Sequence, residues 1–185
     1  MQSVDDDPKA ALRREIRQRR DTAERAALSA ALNTRLAGFL ADAAEDAIIA
    51  GYWPIGSEAD IRPALEDLSA RHKVALPVVT AKAAPLTFRL WTPQTPMTEG
   101  RYGVQIPEQG DPVSPDVILA PLLAFDKNGT RLGYGGGYYD RSFAAHPAAR
   151  RLGVGFAFQQ VPLVPAEAHD IHLETIITEE RVIQI

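Results

Sequence analysis

Apolar positions change their rhythm once along this chain. Residues 9–20 and 22–43 are rich in Ala, Leu, Arg and Glu, which favour helix, and Leu28, Leu32, Leu36, Phe39 and Leu40 recur at helical spacing. Two N-terminal helices are expected, the second with one face to bury. Further on, short apolar runs bounded by Pro and Gly at 47–52, 74–79, 86–91, 117–123, 152–158 and 175–178 predict strands. Val117-Ile118-Leu119-Ala120 is continuously apolar, as in a central strand covered on both faces, so the sheet is expected to be largely parallel. Between the first two strands Ile61-Arg62-Pro63 leads into Ala64-Leu65-Glu66-Asp67-Leu68, with Pro63 suited to a first helical turn. That gives a βαβ unit. Residues 138–145 predict another helix, and residues 93–115 form the main irregular region. No repeat or linker divides the chain. The expected architecture is α/β: one three-layer α/β/α domain over residues 9–185, after a short mobile leader at 1–8.

Composition narrows the function classes. With 185 residues, 45% hydrophobic and 24% charged, the chain has the make-up of an ordinary globular domain. A net charge of −4 disfavours a broad nucleic-acid-binding surface, although a local basic patch is compatible with it. The absence of cysteine excludes disulfides, thiolate metal sites and cysteine nucleophiles, so any metal is held by oxygen or imidazole. Asp5-Asp6-Asp7 is unlike a secretory or transit signal, and no apolar run reaches the roughly 18 residues of a membrane span. A cytoplasmic protein without membrane or nucleic-acid partners is expected, with a monomer as the default because no heptad or apolar tail is evident.

The most informative segment runs from Phe125-Asp126 through Gly129-Thr130-Arg131-Leu132-Gly133-Tyr134-Gly135-Gly136-Gly137 to Tyr138-Tyr139-Asp140-Arg141. Five of the 13 glycines fall between 129 and 137. Glycine reaches positive φ, so successive N–H groups can converge on an anion at a helix start. The segment follows an apolar strand and precedes a helix, where open α/β sheets bind ligands. It lacks the Gly-Lys-Ser/Thr ending of a P-loop, and Gly133-Tyr134-Gly135 has no third glycine for a dinucleotide fingerprint. Two readings stand: a chain-reversing turn, or an anion-binding loop, which the neighbouring Arg131 and Arg141 favour.

Other residues add to the second reading. Lys9, Arg13 and Arg20 fall on the side of the first helix that carries Leu12 and Ile16, flanking its apolar stripe. They are either a solvated basic face or partners for a polyphosphate held against the glycine loop. Around Trp53, Glu58 and Asp60 an aromatic and two carboxylates can stack a flat heterocycle and hydrogen-bond its nitrogens. The plain alternative makes Trp53 a core edge and Asp60 a helix cap. Asp140 and Asp170 are enough for magnesium, which takes one or two carboxylates with waters and phosphates. His169 and His172 form a His-x-x-His pair without a third ligand, a weak metal signal. No nucleophile signature is present.

Taken together, Phe125-Asp126, Gly129, Arg131-Leu132-Gly133, Gly135 and Gly137-Tyr138-Tyr139-Asp140 resemble the hallmark of the 5-formyltetrahydrofolate cyclo-ligases, also called 5,10-methenyltetrahydrofolate synthetases. Lys9-x-x-Leu12-Arg13, Tyr52 with Glu58, Leu76-Pro77, Tyr102-Gly103 with Pro107-Glu108, and Asp170 followed by Thr178-Glu179 accompany it in order, so the resemblance spans residues 9–180. It implies ATP- and magnesium-dependent closure of 5-formyltetrahydrofolate to 5,10-methenyltetrahydrofolate, through phosphorylation of the formyl oxygen and attack by N10. It also implies a three-layer α/β fold related to sugar-phosphate isomerase and coenzyme A transferase domains.

Carried over by position, the resemblance gives ATP to Lys9 and Arg13 and to the loop Arg131, Leu132, Gly133, Tyr134, Gly135, Gly136, Gly137, Tyr138 and Tyr139. It gives folate to Trp53, Glu58, Tyr102, Tyr134, Gly135, Gly136, Gly137 and Tyr138. Asp140 and Asp170 would serve magnesium, with Arg131 and Asp140 in the catalytic step. The chain departs from the family at Tyr134 and Gly136, where some members carry basic residues. Arg131 is the expected replacement cation, with Arg141 or Lys127 in reserve. A folate- or nucleotide-binding regulator without turnover, and an enzyme activating a different formamide or carboxylate, are the competing readings.

Overall fold

The structure is a computed structural model that describes residues 7–167 and 170–185; most of the expected leader, and His169, lie outside the described residues. Helix α1 (Pro8–Thr22) starts inside the expected leader, because Asp7 caps it by accepting from the Lys9 N–H at 2.9 Å and Pro8 occupies its first turn. Ala23 is extended (φ −77°, ψ 153°), so the chain bends there and α2 (Arg25–Leu40) begins later than the apolar pattern predicts.

Next come β1 (Ile48–Ala50), α3 (Arg62–Ser69), β2 (Lys73–Val78) and β3 (Thr87–Trp91). The irregular region holds three further short strands: β4 (Met97–Glu99) and β5 (Gln105–Pro107), which form a separate antiparallel pair, and β6 (Pro112–Val113). The remaining elements are β7 (Val117–Pro121), β8 (Ala124–Phe125), β9 (Arg131–Leu132), α4 (Tyr138–Ala145), β10 (Arg150–Val154), β11 (Thr175–Ile177) and β12 (Val182–Gln184). Among the described residues no helix is long and apolar enough to cross a membrane.

Eight strands form the main sheet in the order β12-β11-β10-β7-β1-β2-β3-β6. Its centre, from β11 to β2, is parallel as expected, whereas the outer pairs β11–β12, β2–β3 and β3–β6 are antiparallel. Along β7 successive side chains point to opposite faces. Val117 and Leu119 join Ile49, Val74 and Leu76 beneath Leu32, Leu36 and Leu40 of α2 and Leu65 and Leu68 of α3. Ile118 and Ala120 join Ala50 and Ala75 on the other face, against Phe143 of α4. Both faces are covered, which is why this strand has no polar positions. Helix α1 instead packs on the β8–β9 hairpin, where Ile16 is buried with Ala124, Leu132 and Val164.

Two expected strands end early for one reason. Gln159, buried beside β7, donates through Nε2 to the carbonyls of Leu122 and Leu123 at 2.7 and 2.8 Å and accepts from the Phe156 N–H at 2.6 Å. It satisfies backbone groups that a longer pair of strands would otherwise bond, so β7 stops at Pro121 and β10 at Val154.

Candidate functional site

After β1 the chain moves outward through β2, β3 and β6 and then returns to β7 on the other side of β1. This reversal opens a crevice at the carboxyl ends of the central strands, the usual ligand position in such sheets. A cavity of about 610 Å³ lies there, lined by Lys9 and Arg13 of α1, Tyr52, Trp53 and Glu58 after β1, Pro77 of β2, Arg101 and Tyr102 before β5, the loop from Arg131 to Asp140, and Glu167 and Asp170.

At one end the lining is cationic. Asp126, fully buried, anchors the start of the glycine loop by accepting from the N–H groups of Asn128, Thr130 and Val164 at 2.9–3.1 Å. Its place in the hallmark is therefore structural. Further along, Gly135 (φ +93°) and Gly137 (φ +64°) adopt left-handed backbone, and Gly137 is the N-cap of α4. Arg13 donates through Nε to the Gly133 carbonyl at 3.0 Å, which fastens the loop to α1.

Lys9 Nζ lies 2.7 Å from Glu167 Oε1 and 3.0 Å from Asp170 Oδ2. Burial lowers the Lys9 pKa, but the hydrogen bonds and charges of these two acids outweigh it and leave the ammonium more basic than usual. The Arg131 side chain, 6% exposed, pairs with Asp140 at 2.9 Å and lies over the rings of Tyr139 and Phe143 at 5.5 and 5.9 Å. Lys9, Arg13 and Arg131 thus share one cavity wall. The two reserve cations do not. Lys127 is exposed in the β8–β9 turn, and Arg141 lies over the Tyr138 ring, bonded to the carbonyls of Gly136 and Ala84; neither lines the cavity.

Both aspartates face this wall. Asp140 accepts from Arg131 and, at 3.3 Å, from the Ile171 N–H; Asp170 accepts from Lys9 and from the Glu167 N–H at 2.8 Å. His172 Nδ1 lies 2.9 Å from the Asn128 carbonyl, and among the described residues no group of three His, Cys, Asp or Glu side chains could hold a metal. The other member of the His-x-x-His pair, His169, lies outside the described residues.

The other end is aromatic. Trp53 meets Trp91 edge to face with centroids 6.4 Å apart, so it is both core edge and cavity wall. Tyr52 is buried and donates to the Ala59 carbonyl at 3.1 Å. Tyr102 (φ +65°) reaches across the mouth, its hydroxyl 2.9 Å from that of Tyr138. Asp60 points elsewhere, pairing with Arg62 at 2.6 Å and accepting from the Arg62 N–H at the start of α3. It lies one residue before the N-cap, Ile61, and does not line the cavity.

Glu58, 5% exposed, accepts from the Ile55 N–H at 2.7 Å through Oε2, while Oε1 makes no hydrogen bond. Burial raises its pKa; the Ile55 N–H, the nearby Tyr134 hydroxyl and the Arg20 charge oppose that rise without cancelling it. Burial and the Glu58 charge likewise push the hydroxyls of Tyr134 and Tyr139 well above the ordinary tyrosine range.

Two charged residues of the cavity lining, Arg101 and Glu167, were not singled out in the sequence. Arg101 directly precedes the Tyr102-Gly103 pair and so had a local signal. Glu167 had none. Arg20 was one of the flanking cations, but only the fold shows it buried against Tyr134 and Ser57.

The geometry describes an α/β protein with a ligand crevice at a sheet switch point, able to take an anion at one end and a flat, mostly apolar body at the other. The model of the 5-formyltetrahydrofolate cyclo-ligase family matches residues 5–179, and the chain belongs to that family. It is 35% identical to the 5-formyltetrahydrofolate cyclo-ligase of Haemophilus influenzae over 138 residues, covering 70% of this chain and 74% of that one. The Escherichia coli cyclo-ligase is 34% identical over 143 residues, covering 72% and 79%. Among solved structures, the 5,10-methenyltetrahydrofolate synthetase of Aquifex aeolicus superposes with a TM-score of 0.79 at 26% identity, over 95% of this chain and 92% of that one. That of Mycoplasma pneumoniae gives 0.75 at 26% identity, over 94% and 99%.

Proposed function

We propose that this chain converts 5-formyltetrahydrofolate to 5,10-methenyltetrahydrofolate, consuming ATP and releasing ADP and phosphate. Family membership supports the reaction, and one observation carries its placement. A single cavity of about 610 Å³, an ordinary size for a ligand site, joins the cationic glycine loop to the aromatic wall around Glu58.

The chemistry accounts for both halves. The formyl oxygen of an amide-like group is a poor leaving group, and its carbon is a poor electrophile. Attack of that oxygen on the γ-phosphorus breaks the bond to ADP and gives an iminium phosphate. N10 then attacks the carbon and loses its proton, and phosphate departs. No enzyme nucleophile is needed. Lys9, Arg13 and the loop from Arg131 to Tyr139 hold the phosphates, with backbone N–H groups at the start of α4 as further donors. Arg131, permanently charged and held in place by Asp140 and Tyr139, faces the transferring group. Trp53, Tyr102 and Tyr138 wall the folate, and Glu58 Oε1 accepts from pterin N–H groups. Positioning two substrates in one cavity supplies proximity.

The donor set suits magnesium. Asp140 and Asp170 are hard oxygen ligands on the wall where the cations meet the loop, and this metal takes one or two carboxylates with waters and phosphates. When bound, it would supply charge neutralisation on the phosphoryl group.

Purified protein mixed with 5-formyltetrahydrofolate and Mg-ATP tests the reading through the near-ultraviolet absorbance of the methenyl product. Product that requires ATP is expected. Absence of product despite binding of both substrates would instead make the chain a regulator.

A further inference from the structure

We infer that Arg20, near the end of α1, is a positioning residue for the folate half of the site: it ties the glycine loop to the turn bearing Glu58 and faces Glu58 with a buried positive charge. The inference rests on the reading of Glu58 as the pterin acceptor.

Arg20 is 2% exposed, and burying a guanidinium is costly unless charged or polar partners compensate it. Its hydrogen-bond partners are both neutral. Nε donates to Ser57 Oγ at 3.2 Å and Nη2 to the Tyr134 hydroxyl at 2.7 Å, and among the described residues it forms no direct ion pair. Its Nη1 is buried with no hydrogen-bond partner, as is Glu58 Oε1. Here a cation and a carboxylate are held in one buried cluster, each with a polar atom left over, and the carboxylate lines the cavity.

Arg20 itself does not line that cavity, so it acts from behind the wall. Tyr134 transmits the contact. Its ring lies under the guanidinium groups of Arg17 and Arg20 at 5.4 and 5.7 Å, and its hydroxyl is fixed by Arg20. The titratable and charged groups that face Glu58 are Tyr52 at the end of β1, Tyr134 in the glycine loop, Tyr139 of α4 and Arg20 of α1. Of these only Arg20 is charged at neutral pH, and it favours the carboxylate form together with the Ile55 N–H and the Tyr134 hydroxyl. The helix that brings Lys9 and Arg13 to the glycine loop therefore also shapes the folate end.

The test compares wild type with Arg20→Met, Arg20→Lys and Tyr134→Phe. Binding of 5-formyltetrahydrofolate and of a non-hydrolysable ATP analogue is measured separately across pH, with circular dichroism as the check on folding. Arg20→Met should weaken folate binding by about tenfold or more, the scale of losing a charge-assisted contact, and change ATP-analogue affinity by less than about twofold. It should also move upward the pH below which folate binding is lost, because Glu58 then lacks its favourable charge. Arg20→Lys should restore the wild-type pH midpoint, and Tyr134→Phe should weaken folate binding a few-fold and also move the midpoint upward, because it removes a hydroxyl that favours the Glu58 carboxylate. A folded Arg20→Met protein with wild-type folate affinity and midpoint overturns the inference. So does equal weakening of both ligands with no shift in midpoint, which is what a merely structural role gives. If Arg20→Met does not fold, wild-type folate affinity in both other variants overturns it. Failure of the wild type to bind 5-formyltetrahydrofolate would instead sink the proposed function.

Discussion

At Glu58, burial raises the carboxyl pKa above the 4.5 of an ordinary glutamate, and this has opposite consequences for folding and for binding. The folded state holds the proton more tightly than the unfolded chain, so stability from this group is full below pH 4.5 and is lost as pH rises through the folded pKa. Denaturant titrations of wild type and Glu58→Gln should therefore differ by a constant amount below pH 4.5, with wild type losing ground above it. The same substitution should raise the KM for 5-formyltetrahydrofolate by about 10- to 100-fold, as removal of a charged acceptor does, and leave the KM for ATP within about twofold. Equal effects on both substrates would remove Glu58 from the folate end. Single residues were unevenly legible. Glycines and aspartates near 129–140 stood out because composition concentrates them, whereas Asp60 and Glu58 looked alike in sequence. Only the fold separates them, turning one to Arg62 and the other into the cavity.

Among the elements, α1 has the most to do, since Lys9, Arg13 and Arg20 all leave it toward the site. Asp7→Ala removes its side-chain cap and should lower stability by about 0.5–2 kcal/mol in a denaturant titration. Fraying of the first turn loosens Lys9 before Arg20, so nucleotide binding should weaken more than folate binding. The glycine loop makes a different demand. A Cβ at Gly137 would stand 2.7 Å from Arg141 Nη1, on backbone at φ +64° that disfavours other residues by about 1–2 kcal/mol. Gly137→Ala should therefore weaken binding of an ATP analogue, measured by calorimetry, without unfolding the sheet. Helical periodicity and apolar strand runs were readable because burial on a fixed face imposes them. The β4–β5 hairpin and β12 were not, being three-residue strands with polar positions, and the strand ends were set by a side chain, Gln159, that no local pattern reveals.

For the whole molecule, the decisive feature is that the sheet switch point gathers residues from widely separated segments: Lys9, Glu58, Tyr102, the 131–140 loop and Asp170. Sequence could name most of them but not show which end of the cavity each serves. If Asp140 and Asp170 hold magnesium, Asp140→Asn should cut turnover by about tenfold or more with little change in folate affinity, read by steady-state kinetics. Chelation of magnesium should stop turnover of the wild type while folate binding persists. In the proposed reaction this cavity brings the formyl oxygen onto the γ-phosphorus of ATP. That step is tested most directly with 5-formyltetrahydrofolate carrying heavy oxygen in the formyl group, with the released phosphate analysed by mass spectrometry. One labelled oxygen is expected in each phosphate formed along with methenyl product; unlabelled phosphate would rule out phosphorylation of the formyl oxygen.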